Sequence, residues 1–318
     1  TRNMLLNTQK KIAILIPCHN EENTIGSVID SFFKYIPESK VYVYDNASVD
    51  GTSEIAKAHG AIVSYEPNKG KGNVVRRMFA DIVADIYIIL DGDETYDVSM
   101  APLMVNKLID ENLDMVVGTR KATIAKDAYR SGHIFGNWLL TSAVSLAFNS
   151  GFTDMLSGYR IMSHRFVKSF PINSNGFEIE TEMTVHALQL KTPFSEVETS
   201  YDARPEGSQS KLNTWSDGFR ILGMIVLLIK EYKPFQFFGI FSIVFAIISF
   251  MLSVPIILTW IDTGLVPRLP TAILSMGVMI LAVISLSSGI ILDSVSRARL
   301  EKKRLQYLTL NSVNSGIS

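Results

Sequence analysis

Cysteine is nearly absent from this chain of 318 residues. Cys18 stands alone, so no intramolecular disulfide framework can form, and such usage fits a reducing compartment. Charge of one sign is missing too: 30 Lys plus Arg face 31 Asp plus Glu, and no global field points to nucleic acid as a partner. The five histidines, His19, His59, His133, His164 and His186, show no spacing typical of a zinc site. No basic start followed by an apolar core opens the sequence, so no signal peptide is read there. What the chain has in excess is apolar character. Its mean hydropathy of +0.21 is high for a soluble protein, and the excess lies near the C-terminal end.

In the N-terminal half, apolar runs at 12–16, 41–44, 61–65, 86–90 and 115–118 have strand length and β-branched character. Pro17 is expected to end the first of them. Between the runs lie helical patterns through Ile25, Val28, Ile29, Phe32 and Phe33, then 53–59, then Val74, Val75, Met78 and Phe79. This alternation predicts an α/β fold with a mostly parallel sheet and helices on both faces. Ligands collect at the carboxyl ends of such strands, and residues 17–20, 45–50, 69–71 and 91–93 all fall there.

Asp91-Gly92-Asp93, at the end of the buried run 86–90, is a hard-oxygen cluster of the kind that suits Mg²⁺ or Mn²⁺. Glycine between the carboxylates allows a tight turn and a close ligand; the same three residues are also ordinary turn formers. Lys69-Gly70-Lys71-Gly72 has neither Walker spacing nor a Rossmann fingerprint. Amides at the following helix start, with the lysines, can still receive an anion; a solvated glycine turn is the bland alternative. Glu21 and Glu22 before the first helix suit its macrodipole.

Four motifs occur in order: Ile16-Pro17-Cys18-His19-Asn20-Glu21-Glu22, Asp45-Asn46-Ala47-Ser48-Val49-Asp50-Gly51-Thr52, Asn68-Lys69-Gly70-Lys71-Gly72 and Asp91-Gly92-Asp93. Together they resemble the successive motifs of the inverting, family 2 glycosyltransferases of GT-A fold. The resemblance implies that Pro17, Asn20 and Glu22 line a nucleotide, that Asp45 faces its base, and that Lys71 and Gly92 border the nucleotide sugar. It also implies that Asp91 and Asp93 act on the ribose and on a divalent metal, Mg²⁺ or Mn²⁺. Gly92 departs mildly from the family pattern, since many relatives carry another residue there.

After a strand ending in Thr119-Arg120 and a helix expected over 132–148, polar segments with recurrent arginines follow at 154–160, 176–182 and 201–211. Arginines and lysines neutralise phosphates, arginine in a bidentate fork. These segments resemble the branch that glycosylates polyprenyl phosphates, the dolichyl-phosphate mannose synthases and bacterial polyprenyl-phosphate glucosyltransferases. That resemblance implies that Arg120, Arg130, Ser157 and Arg204 meet the acceptor phosphate or the diphosphate leaving group. Ser208 and Lys211 would lie on a loop closing over the donor, and Asp154 near the reacting centre, with a turn cap as its bland alternative. Asp93, Asp154, Arg130 and Arg204 form the expected catalytic set; Glu178, Glu180 and Glu182 stay open as the acidic residue near the sugar. His186, beside Val185 and Leu188, reads as a packed core histidine.

Residues 235–261 and 269–292 contain no charge, and at roughly 1.5 Å per residue each exceeds a ~30 Å hydrocarbon layer. The expected organisation is a catalytic domain at 1–212, an interfacial helix at 213–233, a transmembrane hairpin at 234–295, and a basic tail at 296–318 forming a second surface helix. Lys230, Lys233, Arg297, Arg299, Lys302, Lys303 and Arg304 flank the hairpin against Arg268 in its turn. Both ends and the catalytic domain are therefore expected on the cytosolic side of the inner membrane. Small residues Gly277, Ser285, Ser287, Ser288 and Gly289 suggest a homo-oligomer, with a tetramer as in some relatives.

The expected activity is transfer of a hexose, glucose from UDP-glucose, to a polyprenyl phosphate such as undecaprenyl phosphate. A GDP-mannose-dependent mannose synthase is the near rival. A processive polysaccharide synthase fits less well, because no Gln-x-x-Arg-Trp motif is present. A non-catalytic membrane scaffold is disfavoured by the retained acidic pair and arginines.

Overall fold

The run Ile-Ala-Ile-Leu-Ile becomes strand β1 (Ile12–Cys18), and residues 13–16 are buried because sheet and helices cover both of its faces. The computed structural model describes residues 10–122, 152–172, 178–201, 223, 226–227 and 229–314. Beside β1 run β2 (Lys40–Asp45) and β4 (Ile86–Ile89), both parallel to it, with β3 (Ile62–Tyr65) outside β2. On the other side β6 (Arg160–Ser163) enters antiparallel between β4 and β5 (Met115–Ala122), and β7 (Phe194–Tyr201) pairs parallel with β5. The order β3-β2-β1-β4-β6-β5-β7 gives the expected mostly parallel α/β sheet with one reversed strand.

Pro17 does not end β1. It pairs in register with Tyr44, and the strand runs on to Cys18. The ladder to β4 stops at Leu15–Ile89, so the missing N–H of Pro17 falls beyond the last bond it would have made on that side.

Helices α1 (Ile25–Tyr35), α2 (Thr52–Ala58), α3 (Lys71–Asp81) and α4 (Ala101–Asp110) cover the sheet. Their buried side chains recur at three and four residues: Ile25, Val28, Ile29 and Phe32 in α1, then Val74, Val75, Met78 and Phe79 in α3. Each fully buried Ile or Phe contributes on the order of 1.5–3 kcal/mol by removal from water. Helix α5 (His164–Ser169) is capped by Ser163, whose Oγ accepts from Phe166 N at 3.2 Å. Helix α6 (Ile179–Leu190) has a broad buried surface that includes Ile179, Glu180, Met183 and His186.

His186 is a core histidine, as expected: it is buried, its ring meets Phe166 at 5.3 Å and Phe170 at 5.1 Å, and Nε2 pairs with Ser169 Oγ. Burial, helped by Lys303, pulls its pKa down to about 3. The unfolded chain therefore binds a proton near pH 6.5 that the fold refuses, and stability falls as pH drops below that point. Acidification from pH 7 to pH 5 should weaken the fold by about 2 kcal/mol through this residue. Urea melts of wild type and His186→Gln at both pH values check it; equal pH slopes in the two proteins would overturn it.

The chain divides into two compact units, Leu222–Lys302 and the remainder, so Lys303–Ser318 belongs with the sheet. That C-terminal segment, expected as a tail, is docked. Tyr307 OH donates to Asp114, which also accepts from Arg165 Nε at 2.6 Å and Nη2 at 2.8 Å; the guanidinium lies over the Tyr307 ring at 4.8 Å. Val313 reaches the main hydrophobic core.

The other unit holds the body of two helices, α7 (Pro234–Thr263) and α8 (Leu269–Leu308), each long and apolar enough to cross a membrane. The expected surface helix at 296–318 is instead largely the continuation of α8, because nothing between 293 and 308 breaks the helix. Within the pair, Ser249 Oγ donates to Ser275 O at 2.8 Å and Ser275 Oγ returns a bond to Ser249 O at 3.0 Å. Gly289 faces Phe235 and Phe238, a close approach that helix pairs build from small residues. Most other apolar side chains of this unit are exposed, Phe250 and Ile273 among them.

Candidate active site

The register of the sheet brings the carboxyl ends of β1, β2, β4, β5 and β7 to one edge, together with the start of the reversed strand β6. Among the described residues, the loops leaving that edge after β1, β2 and β4, and the loop after β3 beside β2, carry motifs read from the sequence. They are tied to one another by side chains.

After β1, Asn20 adopts a left-handed backbone (φ 55°), which asparagine tolerates. Its Oδ1 accepts from Val49 N and its own N–H donates to Ser48 Oγ, both at 2.9 Å. Glu22 Oε2 accepts from Gly51 N at 2.9 Å. Asn20 and Glu22 thus shape the loop after β2. In that loop Asp45, almost fully buried, accepts from Ser48 N at 2.9 Å and Ser53 Oγ at 2.6 Å. Pro17 stands within β1, in register with Tyr44 of β2.

Asn46 was not singled out in the sequence, yet it joins two loops. Its Nδ2 donates to Glu66 O and Asn68 O at 3.1 and 2.7 Å, and its Oδ1 accepts from Gly70 N at 2.7 Å. The loop so fixed delivers Lys71 at the start of α3. Lys71 Nζ is buried between two carboxylates, bonded to Asp91 Oδ1 and lying 2.5 Å from Glu180 Oε1. Burial pulls this ammonium down, but Asp91 and Glu180 outweigh it and hold its pKa above the ordinary lysine value. Among the three glutamates left open, Glu180 is the one whose carboxylate joins this cluster.

Asp91 and Asp93 stand on the turn after β4. A Cβ at Gly92 would lie 2.8 Å from Cys18 Sγ, so the family departure at this position goes with the thiol beneath it. Gly158 matters equally: a Cβ there would lie 2.7 Å from Asp91 Oδ2. Asp93 is nearly buried; its Oδ1 accepts from Thr95 Oγ1 at 2.6 Å and Thr95 N at 3.3 Å. No set of three His, Cys, Asp or Glu gathers here among the described residues. Two carboxylates on one turn nonetheless fit Mg²⁺ or Mn²⁺ in the mode where the ion keeps waters and takes phosphate oxygens from its ligand.

On the far side of the site Arg120, at the end of β5, grips Asp154. Nε and Nη2 each donate to a carboxylate oxygen at 2.7 Å, and the Arg120 amide adds a bond of 3.2 Å. Burial pushes the Asp154 carboxyl up, yet the bonds from Arg120 pull harder and leave it below the usual range. Asp154 is therefore a fixed anion at neutral pH. Ser157 is fully buried, and its Oγ donates to Gly118 O at 2.5 Å, which fastens its loop to β5.

Two more residues act here to which the sequence assigned no role. Tyr96 OH accepts from Gly158 N at 2.9 Å, and its ring meets Tyr159 and Tyr201 edge-on at 5.7 and 5.1 Å. Arg160, fully buried, donates to Ser157 O, Met155 O and Thr184 Oγ1 at 3.0, 2.7 and 2.9 Å. A buried arginine has no sequence signal of its own, since arginine is ordinarily exposed. Arg130, Arg204, Ser208 and Lys211, the helix over 132–148 and most of the interfacial stretch 213–233 lie outside the described residues.

The family described as Glycosyl transferase family 2 matches residues 13–170. Glycosyltransferase AglJ of Haloferax volcanii is 31% identical over 303 residues, 95% of this chain and 99% of AglJ. Protein RfbJ of Shigella flexneri is 53% identical over 122 residues, 38% of this chain and 95% of that protein. Among solved structures, glucosyl-3-phosphoglycerate synthase from Mycobacterium tuberculosis in complex with Mn²⁺, UDP and phosphoglyceric acid is similar, with a TM-score of 0.57. The identity there is 22%, covering 70% of this chain and 78% of that one, a likeness of fold.

Proposed function

This chain belongs to glycosyl transferase family 2, and on that premise we propose that it moves a hexose, glucose from UDP-glucose, to a polyprenyl phosphate such as undecaprenyl phosphate, with inversion. The observation that carries the reading is the joining of two features in one chain. Asp91, Asp93 and Lys71 gather at the carboxyl edge of a nucleotide-sugar-type sheet, and the chain goes on into two helices fit to cross a bilayer.

In this reading Asp93, with Asp91 beside it, would hold Mg²⁺ or Mn²⁺, which would neutralise charge on the departing diphosphate. The lipid phosphate oxygen attacks the anomeric carbon from the face opposite the leaving group. An ionised phosphate needs no strong general base. That agrees with Asp154, which Arg120 keeps ionised and which therefore orients the guanidinium rather than handing over a proton. Positioning and charge neutralisation supply the acceleration; Arg120, with Arg130 and Arg204 by the family resemblance, is proposed to meet the two anionic partners. Helices α7 and α8 would form a membrane hairpin with both ends on the cytosolic, lysine- and arginine-rich side.

Membranes containing the protein, supplied with undecaprenyl phosphate and labelled UDP-glucose, UDP-N-acetylglucosamine or GDP-mannose, test this directly. Label from UDP-glucose should pass into organic solvent. Label from GDP-mannose alone would make the chain a polyprenyl-phosphate mannose synthase. Failure of all three would overturn the lipid acceptor.

A further inference from the structure

Lys71 sits where a donor diphosphate would be expected to find a cation, yet in this structure it already serves two carboxylates. One of them, Glu180, arrives on α6, over a hundred residues along the chain from Lys71. We propose that Glu180 is a positioning residue of the donor site, holding the Lys71 ammonium so that Asp91 keeps its place at the edge of the nucleotide pocket. The inference rests on the reading of Asp91 as a nucleotide-sugar contact.

The geometry supports it in three ways. First, Asp91 shares the Lys71 ammonium with Glu180, so its carboxylate is fixed in direction by a cation that it does not hold alone. Asp91 remains partly exposed, with its side chain 32% accessible, whereas Lys71 and Glu180 are closed off at 8% and 6%. An incoming hydroxyl can therefore reach Asp91 and neither of the others. Second, Gly158 lets Asp91 Oδ2 and Lys71 Nζ approach the 157–159 backbone so closely that any side chain there would collide with the carboxylate. Third, the turn of α6 that carries Glu180 is tied to Arg160 through a hydroxyl. Thr184 Oγ1, one turn further along α6, donates to Glu180 O at 3.0 Å and accepts from Arg160 Nη1 at 2.9 Å.

Arg160 in turn holds the carbonyls of Met155 and Ser157, in the loop that carries Asp154, the partner of Arg120. The charges thus alternate from Asp91 through Lys71, Glu180, Arg160 and Asp154 to Arg120. Glu180 stands in the middle of that ladder, between the donor side and the acceptor side. Without the Glu180 carboxylate, the Lys71 ammonium, already bonded to Asp91, would have Asp91 as its one carboxylate partner among the described residues and would lose the second anchor that fixes its direction.

The test uses the full chain in detergent, with UDP plus Mn²⁺ as the probe. Glu180→Gln should weaken UDP binding, measured by calorimetry, by about tenfold, the scale of one charge-assisted bond. In the transfer assay the KM for donor should rise more than kcat falls. Glu180→Asp, which keeps the charge, should recover part of the affinity. In a Lys71→Met background, Glu180→Gln should add nothing, because its effect runs through the ammonium. Thermal melts of each variant establish that folding is retained. UDP binding by Glu180→Gln as tight as wild type, or an additive loss in the double variant, overturns the inference. Weakened binding supports it even where the wild type transfers nothing to undecaprenyl phosphate, a result that would overturn the acceptor reading instead.

Discussion

Asp93→Asn should reduce sugar transfer by at least about 10²-fold while leaving the melting temperature near that of wild type. Asparagine keeps the size of the side chain and an oxygen that can accept from Thr95, so the turn held at 2.6 Å by the Thr95 hydroxyl survives. What it loses is the negative charge and the second hard oxygen. Asp93 is almost fully buried, so the substituted atoms lie inside the turn rather than out in solvent. A chelator should silence the wild type and added Mn²⁺ should restore it, whereas no concentration of Mn²⁺ should rescue the variant. Transfer by Asp93→Asn within threefold of wild type would remove Asp93 from the metal site.

The second large effect concerns stability. Arg160→Met should destabilise the sheet-bearing unit by about 3–5 kcal/mol, a loss on the order of 10 °C in melting temperature for a unit of this size. Burial pulls the Arg160 pKa down to about 10, against the opposing pull of Glu180 and Asp154, so its charge is held at a cost that those neighbours offset. Methionine fills much of the volume but leaves Met155 O and Ser157 O without their donor. Each unsatisfied carbonyl costs roughly 1–3 kcal/mol. Lysine is no remedy, because a single ammonium cannot reach three acceptors spread around a planar fork. Thermal melts of Arg160→Met and Arg160→Lys check this, and a shift under about 2 °C in both would show that the guanidinium is not needed for the fold.

The two predictions draw on different sources of information. Asp93 was legible in the sequence because a strand buried on both faces reads as an unbroken apolar run, and 86–90 is one. The carboxylates that follow it must then lie where the strand meets solvent. Asp45 follows the apolar run 41–44 in the same way, whereas Lys71 follows β3, a half-exposed edge strand, and was placed by the motif around it. Arg160 was not legible, because its strand is reversed between β4 and β5 and only that register turns the guanidinium inward. Pro17 was misread as a stop because its cost depends on whether a neighbour wants its N–H, a fact of pairing rather than of residue type.

Alone, the order of residues determined the alternation of strands and helices, the acidic turn at 91–93, and the two uncharged stretches that become α7 and α8. All of these follow from local periodicity and from the reluctance of charge to enter an apolar core. The tertiary structure alone decided that Glu180, rather than Glu178 or Glu182, joins Lys71, that Asp154 is held by Arg120, and that the last turn of α8 docks against Asp114. Those pairings join residues far apart in the chain. Which distant charge meets which is fixed by how whole elements pack, and no short window of sequence contains that information.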